Sequence, residues 1–259
     1  MKTFYMSLII IFFITSSAFA KTGTSNAKKL ELINIVNQQE ILSQRITKAY
    51  LYAKKTNVSA GNADRQLKSA LKNFYDTYSK INTSTKSTQI KTIMSFIKKS
   101  SNEFNNLVKQ PHSKKNTEEI LKLSERVLAK SKEVSTLLKK DLNKSIYEAM
   151  EKSNQQQILA EKIATYCKAL QLNKNDEALK KKIQVTIKKF ATNHKKLMEN
   201  KQNSKMISKK LKEVDSIWKS AYPIYEGKRF INSIVFNSTT RISKKMKEIS
   251  TLYMAMKKQ

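Results

Sequence analysis

A ten-residue block, NQQEILSQRI at 37–46, returns 117 positions later as NQQQILAEKI at 154–163. A second pair, KEVSTL at 132–137 and KEISTL at 247–252, is offset by 115 positions. Matched anchors near both ends of a unit, at nearly constant offset, indicate tandem copies of one structural unit. The copies span 21–143 and 144–259. Any fold for this chain must be buildable twice.

What each copy is made of follows from how little interrupts it. Three Gly and two Pro in 259 residues leave few turns and long regular segments, and 39% hydrophobic residues suffice for a core. The fold class expected is all-α. Turn signals fall near 57–62, 82–84 and 110–113 in the first copy, and near 173–175, 200–203 and 222–227 in the second. In the last of these Pro223 and Gly227 are expected to end a helix. Each copy then reads as a four-helix up-and-down unit. No Gly or Pro lies between Asn116 and Leu172. One shared helix of about 55 residues, roughly 80 Å long, is therefore expected to join the two bundles into an elongated rod.

The first twenty residues carry Lys2, an apolar run over 8–14 and the ending Ala18-Phe19-Ala20, the pattern of a signal peptide cleaved after Ala20. The mature chain is then expected to be secreted or periplasmic, with no transmembrane segment. A single cysteine, Cys167, permits no internal disulfide and reads as a buried thiol.

The net charge of +31 is spread along the chain: 24 basic and 10 acidic groups over 21–143 leave +14, and 26 and 10 over 144–259 leave +16. Such a field draws polyanions such as lipopolysaccharide, acidic polymers or DNA without specificity. It does not form a basic arm.

On the first helix Leu32, Ile35, Gln39, Leu42, Ile46, Ala49 and Ala53 follow spacings of three and four, an apolar seam toward the bundle or a partner helix with one polar member. The equivalent seam in the second copy is Ala149, Lys152, Gln156, Leu159, Ile163, Tyr166 and Leu170. A buried amide requires a hydrogen-bond partner, so Gln39 and Gln156 either fix helix register or bind a ligand. Arg45 and its counterpart Lys162 flank the same face, and a cation beside amides suits a small anion or carboxylate.

The stretch INIVNQQEILSQRITKAY at 33–50 resembles the signature helix of the PilJ-type family, the N-terminal periplasmic domain of type IV pilus methyl-accepting chemotaxis transducers. The pattern I-N-x-A-G-R-Q-R-M-L-S-Q-R-M-A-K is matched at Ile33, Asn34, Gln39, Leu42, Ser43, Gln44, Arg45 and Lys48. The resemblance implies an extracytoplasmic all-helical sensor module, often paired in tandem and often a homodimer, related to nitrate-sensing domains. It points to Gln38, Gln39, Ser43 and Arg45, and to Gln155, Gln156 and Lys162, as ligand-binding residues. Two family arginines are replaced by Gln38 and Glu40, and in the second copy by Gln155 and Gln157. Glu40 stands where the related sensors grip nitrate, so nitrate is not the expected ligand. Such a sensor would report through a separate transmembrane, pilus or chemotaxis partner.

Nothing points to catalysis, a cofactor or a metal. His112 and His194 have no Glu or His at metal-ligand spacing, and no nucleophile elbow, phosphate-cradling glycine loop or CxxC pair occurs. Trp218, Tyr222, Tyr225 and Phe230 offer a stacking platform, but their helical spacing reads as a core plug. Two function classes remain: a binding module that senses a small ligand or partner protein, and a basic envelope or polyanion binder.

Overall fold

The structure is a computed structural model that describes residues 15–53, 59–140, 142, 144–227 and 230–256, with side chains from 26 onward except 145 and 146. Residues 1–14 of the leader and part of the 57–62 turn lie outside the described residues. Among those described there are eight α-helices and no strand. They are α1 (Thr15–Tyr52), α2 (Ala60–Ser84), α3 (Thr88–Leu107), α4 (Lys114–Lys139), α5 (Lys144–Leu172), α6 (Glu177–Met198), α7 (Lys205–Glu226) and α8 (Asn232–Met256). No described helix is long and apolar enough to cross a membrane.

Polar residues start the helices where the sequence turns. The side chains of Ser87, Ser113, Asp176 and Ser204 each accept the backbone N–H three residues on, satisfying one donor that the first turn leaves free. Pro223 does not end α7 but sits in its last turn, and Gly227 is the C-cap.

Helix α1 packs on α2 and α4, with α3 closing the first bundle; α5 packs on α6 and α8, with α7 closing the second. The bundles lie side by side because α1 also packs along α5. The expected 55-residue shared helix is not formed. α4 stops at Lys139, the N–H of Leu142 donates to the Lys139 carbonyl (2.9 Å), Leu142 buries itself, and α5 starts at Lys144. A continuous helix would have held α1 and α5 apart and left one apolar side of each in water. Folding back buries both, and tertiary packing outweighs the local preference for more helix.

The two signature helices run parallel: Arg45 meets Glu161, and further on the Tyr52 hydroxyl donates to the Ala164 carbonyl (3.3 Å). Ile41 and Ile158, which are repeat equivalents, form with Leu128 an apolar cluster apart from the main core. Equivalent residues of the repeated block thus meet between the two parallel helices. Both helices are consequently buried nearly all round, α1 with Ile33, Val36 and Ile41 on one side and Gln39, Leu42 and Ile46 on the other. The seam read from spacing is one of two buried faces. The second face is covered by the chain's own α5.

Candidate functional site

The sequence-predicted residues separate onto different faces. Gln39 is buried toward α2, where its Oε1 accepts from the Thr77 hydroxyl, and Gln156 is buried toward α6, where its Nε2 donates to the Phe190 carbonyl (3.1 Å). Each is paired across its own bundle through one amide atom, while Gln39 Nε2 and Gln156 Oε1 have no protein partner. The Ser43 hydroxyl is buried and donates to the Glu40 carbonyl (2.7 Å), while Gln38 and Gln155 are half-buried.

Arg45 and Lys162 do not join these glutamines. Arg45 Nε donates to Glu161 Oε1 (2.9 Å) and its Nη2 to Ser243 Oγ on α8 (3.0 Å). Lys162 reaches the opposite way, to Glu125 on α4 (2.8 Å), whose other oxygen accepts from the Tyr166 hydroxyl (3.0 Å). The expected grouping of Gln39 with Arg45, and of Gln156 with Lys162, is replaced by two cations that bridge the bundles on opposite sides of the α1/α5 contact. The reason is rotational: residues 39 and 45 lie six positions apart, about 240° around a helix, so one faces the home bundle and the other its neighbour.

Between the bundles lies a charged centre that the sequence reading did not place. Lys48 Nζ is 2.6 Å from Glu161 Oε2, with the two side chains 0% and 1% exposed. Lys48 also donates to Thr240 Oγ1 (3.0 Å) and stands 5.0 Å from the centre of the Phe236 ring. Ser243 donates to Glu161 Oε1 (2.9 Å). Burial acts to raise the Glu161 pKa, but Lys48 and Arg45 outweigh it and hold the carboxyl below its usual range. Burial pulls Lys48 down, with Glu161 opposing. The signal was present in the repeat. Glu161 is the equivalent of Gln44, which donates to the Ser124 carbonyl (3.1 Å), so this position turned from amide to carboxylate in the second copy, facing two cations of the first.

On the other side of the Ile41/Ile158 layer the interior is polar and incompletely paired. Asn37 and Asn154 are repeat equivalents one turn before those isoleucines on the same stripe, and both are buried with Glu40 and Gln157. Gln157 Nε2 donates to Asn154 Oδ1 (3.0 Å), but Asn37 Nδ2, Asn154 Nδ2 and Gln157 Oε1 have no protein partner. Burial raises the Glu40 carboxyl to about 7, against the opposing pull of Lys132 and Lys139. Buried polar groups are nearly always paired, so three orphaned atoms in one layer mark a place where packing is not the only constraint.

The remaining candidates are structural in their surroundings. Trp218 is buried, stacks on Phe190 (4.2 Å) and touches Tyr222 and Tyr225, as a core plug does. His112 stacks on Tyr50 (4.3 Å), and His194 is buried with its pKa lowered by that burial. Cys167 is buried, and burial pushes its thiol well up. Among the described residues no group of His, Cys, Asp or Glu is arranged to hold a metal. No family model matches the chain, and no curated protein or solved structure matches it.

Proposed function

We propose that this protein is a secreted or periplasmic, non-enzymatic sensor-like module, similar to the PilJ-type domains, that binds a small ligand and reports through a separate membrane, pilus or chemotaxis partner. The receptive element is the polar layer of Asn37, Glu40, Asn154 and Gln157, where the two signature helices come together. One observation carries this reading: three buried amide atoms of that layer have no protein partner, and all belong to the repeated block. A ligand that paired them would bind one packing of α1 on α5 better than another, which is what a population shift requires.

The chemistry of the layer sets the ligand class. Two amide N–H groups, an amide oxygen and a carboxyl that is partly protonated near neutrality suit a small neutral or cationic polar molecule. An anion would face Glu40, where the resembling sensors have arginine. A thermal-shift screen with neutral, cationic and anionic metabolites tests this, since a ligand at 100 times its Kd adds about 2.7 kcal/mol. We expect a shift from the neutral or cationic set that Asn154→Leu abolishes while circular dichroism stays native. No shift from any set, or one that survives in the variant, would reject the layer as the site.

A further inference from the structure

One exposed helix face gathers part of the chain's positive charge into a row. Along α6, Lys181 and Lys182, Lys188 and Lys189, and Lys195 and Lys196 recur at intervals of seven, and all six are exposed. At 100° and 1.5 Å per residue they fill an arc of about 140° and a rail of roughly 22 Å. Val185, 57% exposed, and Thr192 lie inside that arc. The opposite side, with Leu179, Ile183, Ile187, Phe190 and Leu197, is buried in the second bundle.

This rail is not a property of the repeat. α6 holds seven lysines against the single Glu177, whereas its counterpart α2 holds four basic residues against Asp64 and Asp76. On the rail, Lys182 stands over the Tyr166 ring (5.8 Å) and Lys195 approaches Glu199 (3.8 Å). Lys181, Lys188, Lys189 and Lys196 have no carboxylate at ion-pair distance among the described residues. The neighbouring α7 adds exposed Lys205, Lys209, Lys212 and Lys219, the last paired with Asp215 (2.7 Å), and the groove of about 730 Å³ between the two helices is lined by Lys195 and Lys219 together with Glu199, Asp215, Trp218 and Tyr222.

We infer that the outer face of α6, with the α7 ridge beside it, is a docking surface for a linear phosphodiester polymer held through its backbone. Like-charged side chains set in a straight row repel one another unless an anion of matching extent neutralises them. Lysines act as point charges without a fixed bidentate geometry, so they follow a chain of phosphates without reading sequence. The lysine arc of α6 carries no aromatic side chain to stack on a base; the nearest, Trp218 and Tyr222, line the groove beside it. The apolar side of α6 is committed to the core, and Val185 alone is too small an apolar surface within the arc to anchor the helix in a lipid surface.

The test compares two variants that lose the same charge. One carries Lys181→Gln, Lys188→Gln, Lys189→Gln and Lys196→Gln; the other carries Lys72→Gln, Lys91→Gln, Lys98→Gln and Lys99→Gln on the exposed surface of the first bundle. Binding is titrated with a duplex DNA of mixed sequence, a glycerol-phosphate polymer and vesicles containing phosphatidylglycerol, from about 50 mM salt upward, with thermal melts confirming that both variants fold. For the α6 variant we expect a loss of at least tenfold and a log–log salt slope shallower by roughly 3 to 4, since each released phosphate contact contributes about 0.9. The control variant should lose no more than about threefold. Binding of DNA, of the glycerol-phosphate polymer or of both, dependent on α6, supports the proposal and tells which phosphodiester source is preferred. Equal losses in the two variants would reduce the effect to net charge and overturn it. So would α6-dependent binding to vesicles alone, or no binding at low salt.

Discussion

Lys48 and Glu161 face each other at 2.6 Å in the interior, one from each copy of the repeat, and neither side chain reaches solvent. The pair exists because the copies diverged: at the position of Glu161 the first copy has Gln44, and at the position of Lys48 the second has Thr165. With the first-copy residue at both positions Lys48 would face a glutamine. Glu161→Gln, which restores the first-copy residue, strands the buried Lys48 ammonium and should cost about 3 to 5 kcal/mol in denaturant melts. Lys48→Met combined with Glu161→Met should recover most of that, with Arg45 free to turn toward water. A Glu161→Gln protein as stable as the parent would show that Thr240 and Ser243 suffice.

Stability should fall with rising pH because of Glu40. Its folded pKa, raised to about 7, exceeds the ordinary carboxylate value, so the folded chain holds this proton more tightly than the unfolded chain does. The stabilisation is complete below about 4.5 and is lost as pH climbs to about 7, at up to about 1.4 kcal/mol per pH unit. Urea melts at pH 5 and 7.5 measure it. Glu40→Gln should flatten the dependence in that window, and an unchanged slope would place the titration elsewhere.

The glutamine of the opening block should prove dispensable for folding. In Gln39→Leu the Thr77 hydroxyl keeps the carbonyls of Asn73 and Phe74 as acceptors (both 2.9 Å), and the unpartnered Gln39 Nε2 is removed from the core. Calorimetry should find the variant within about 1 kcal/mol of the parent, or more stable. A loss of several kcal/mol would mean the amide is part of a larger buried network.

Proline scanning reads the junction between the bundles. Lys144 is the first residue of α5, where proline's missing N–H has no bond to lose, so Lys144→Pro should cost less than about 1 kcal/mol. Lys152→Pro, two turns further into α5, should cost about 3 kcal/mol or more. Equal and large effects would require helix through 140–143.

Cys167 should resist thiol reagents in the native protein. Its side chain is inaccessible and burial keeps the thiol protonated. Labelling by a disulfide reagent should follow global unfolding and accelerate in urea; fast labelling without denaturant would expose an opening of the second bundle.

The sequence by itself determined the helical class, the helix starts at Ser87, Ser113, Asp176 and Ser204 and the burial of Gln39 and Gln156. These follow from local rules: scarce Gly and Pro, polar caps, and apolar spacings of three and four that show which side of a helix meets its own bundle. Only the tertiary structure decided that α4 and α5 are separate helices and that α1 lies along α5. It alone set Arg45 and Lys162 apart from the seam glutamines, brought Lys48 onto Glu161, and left Asn37, Asn154 and Gln157 underpaired. A helix pattern records how much surface a segment must bury, not which surface covers it. Where no Gly or Pro dictates a turn, the choice between one long helix and two packed ones depends on apolar area in segments more than 100 residues apart, and that balance is struck only when the whole chain has folded.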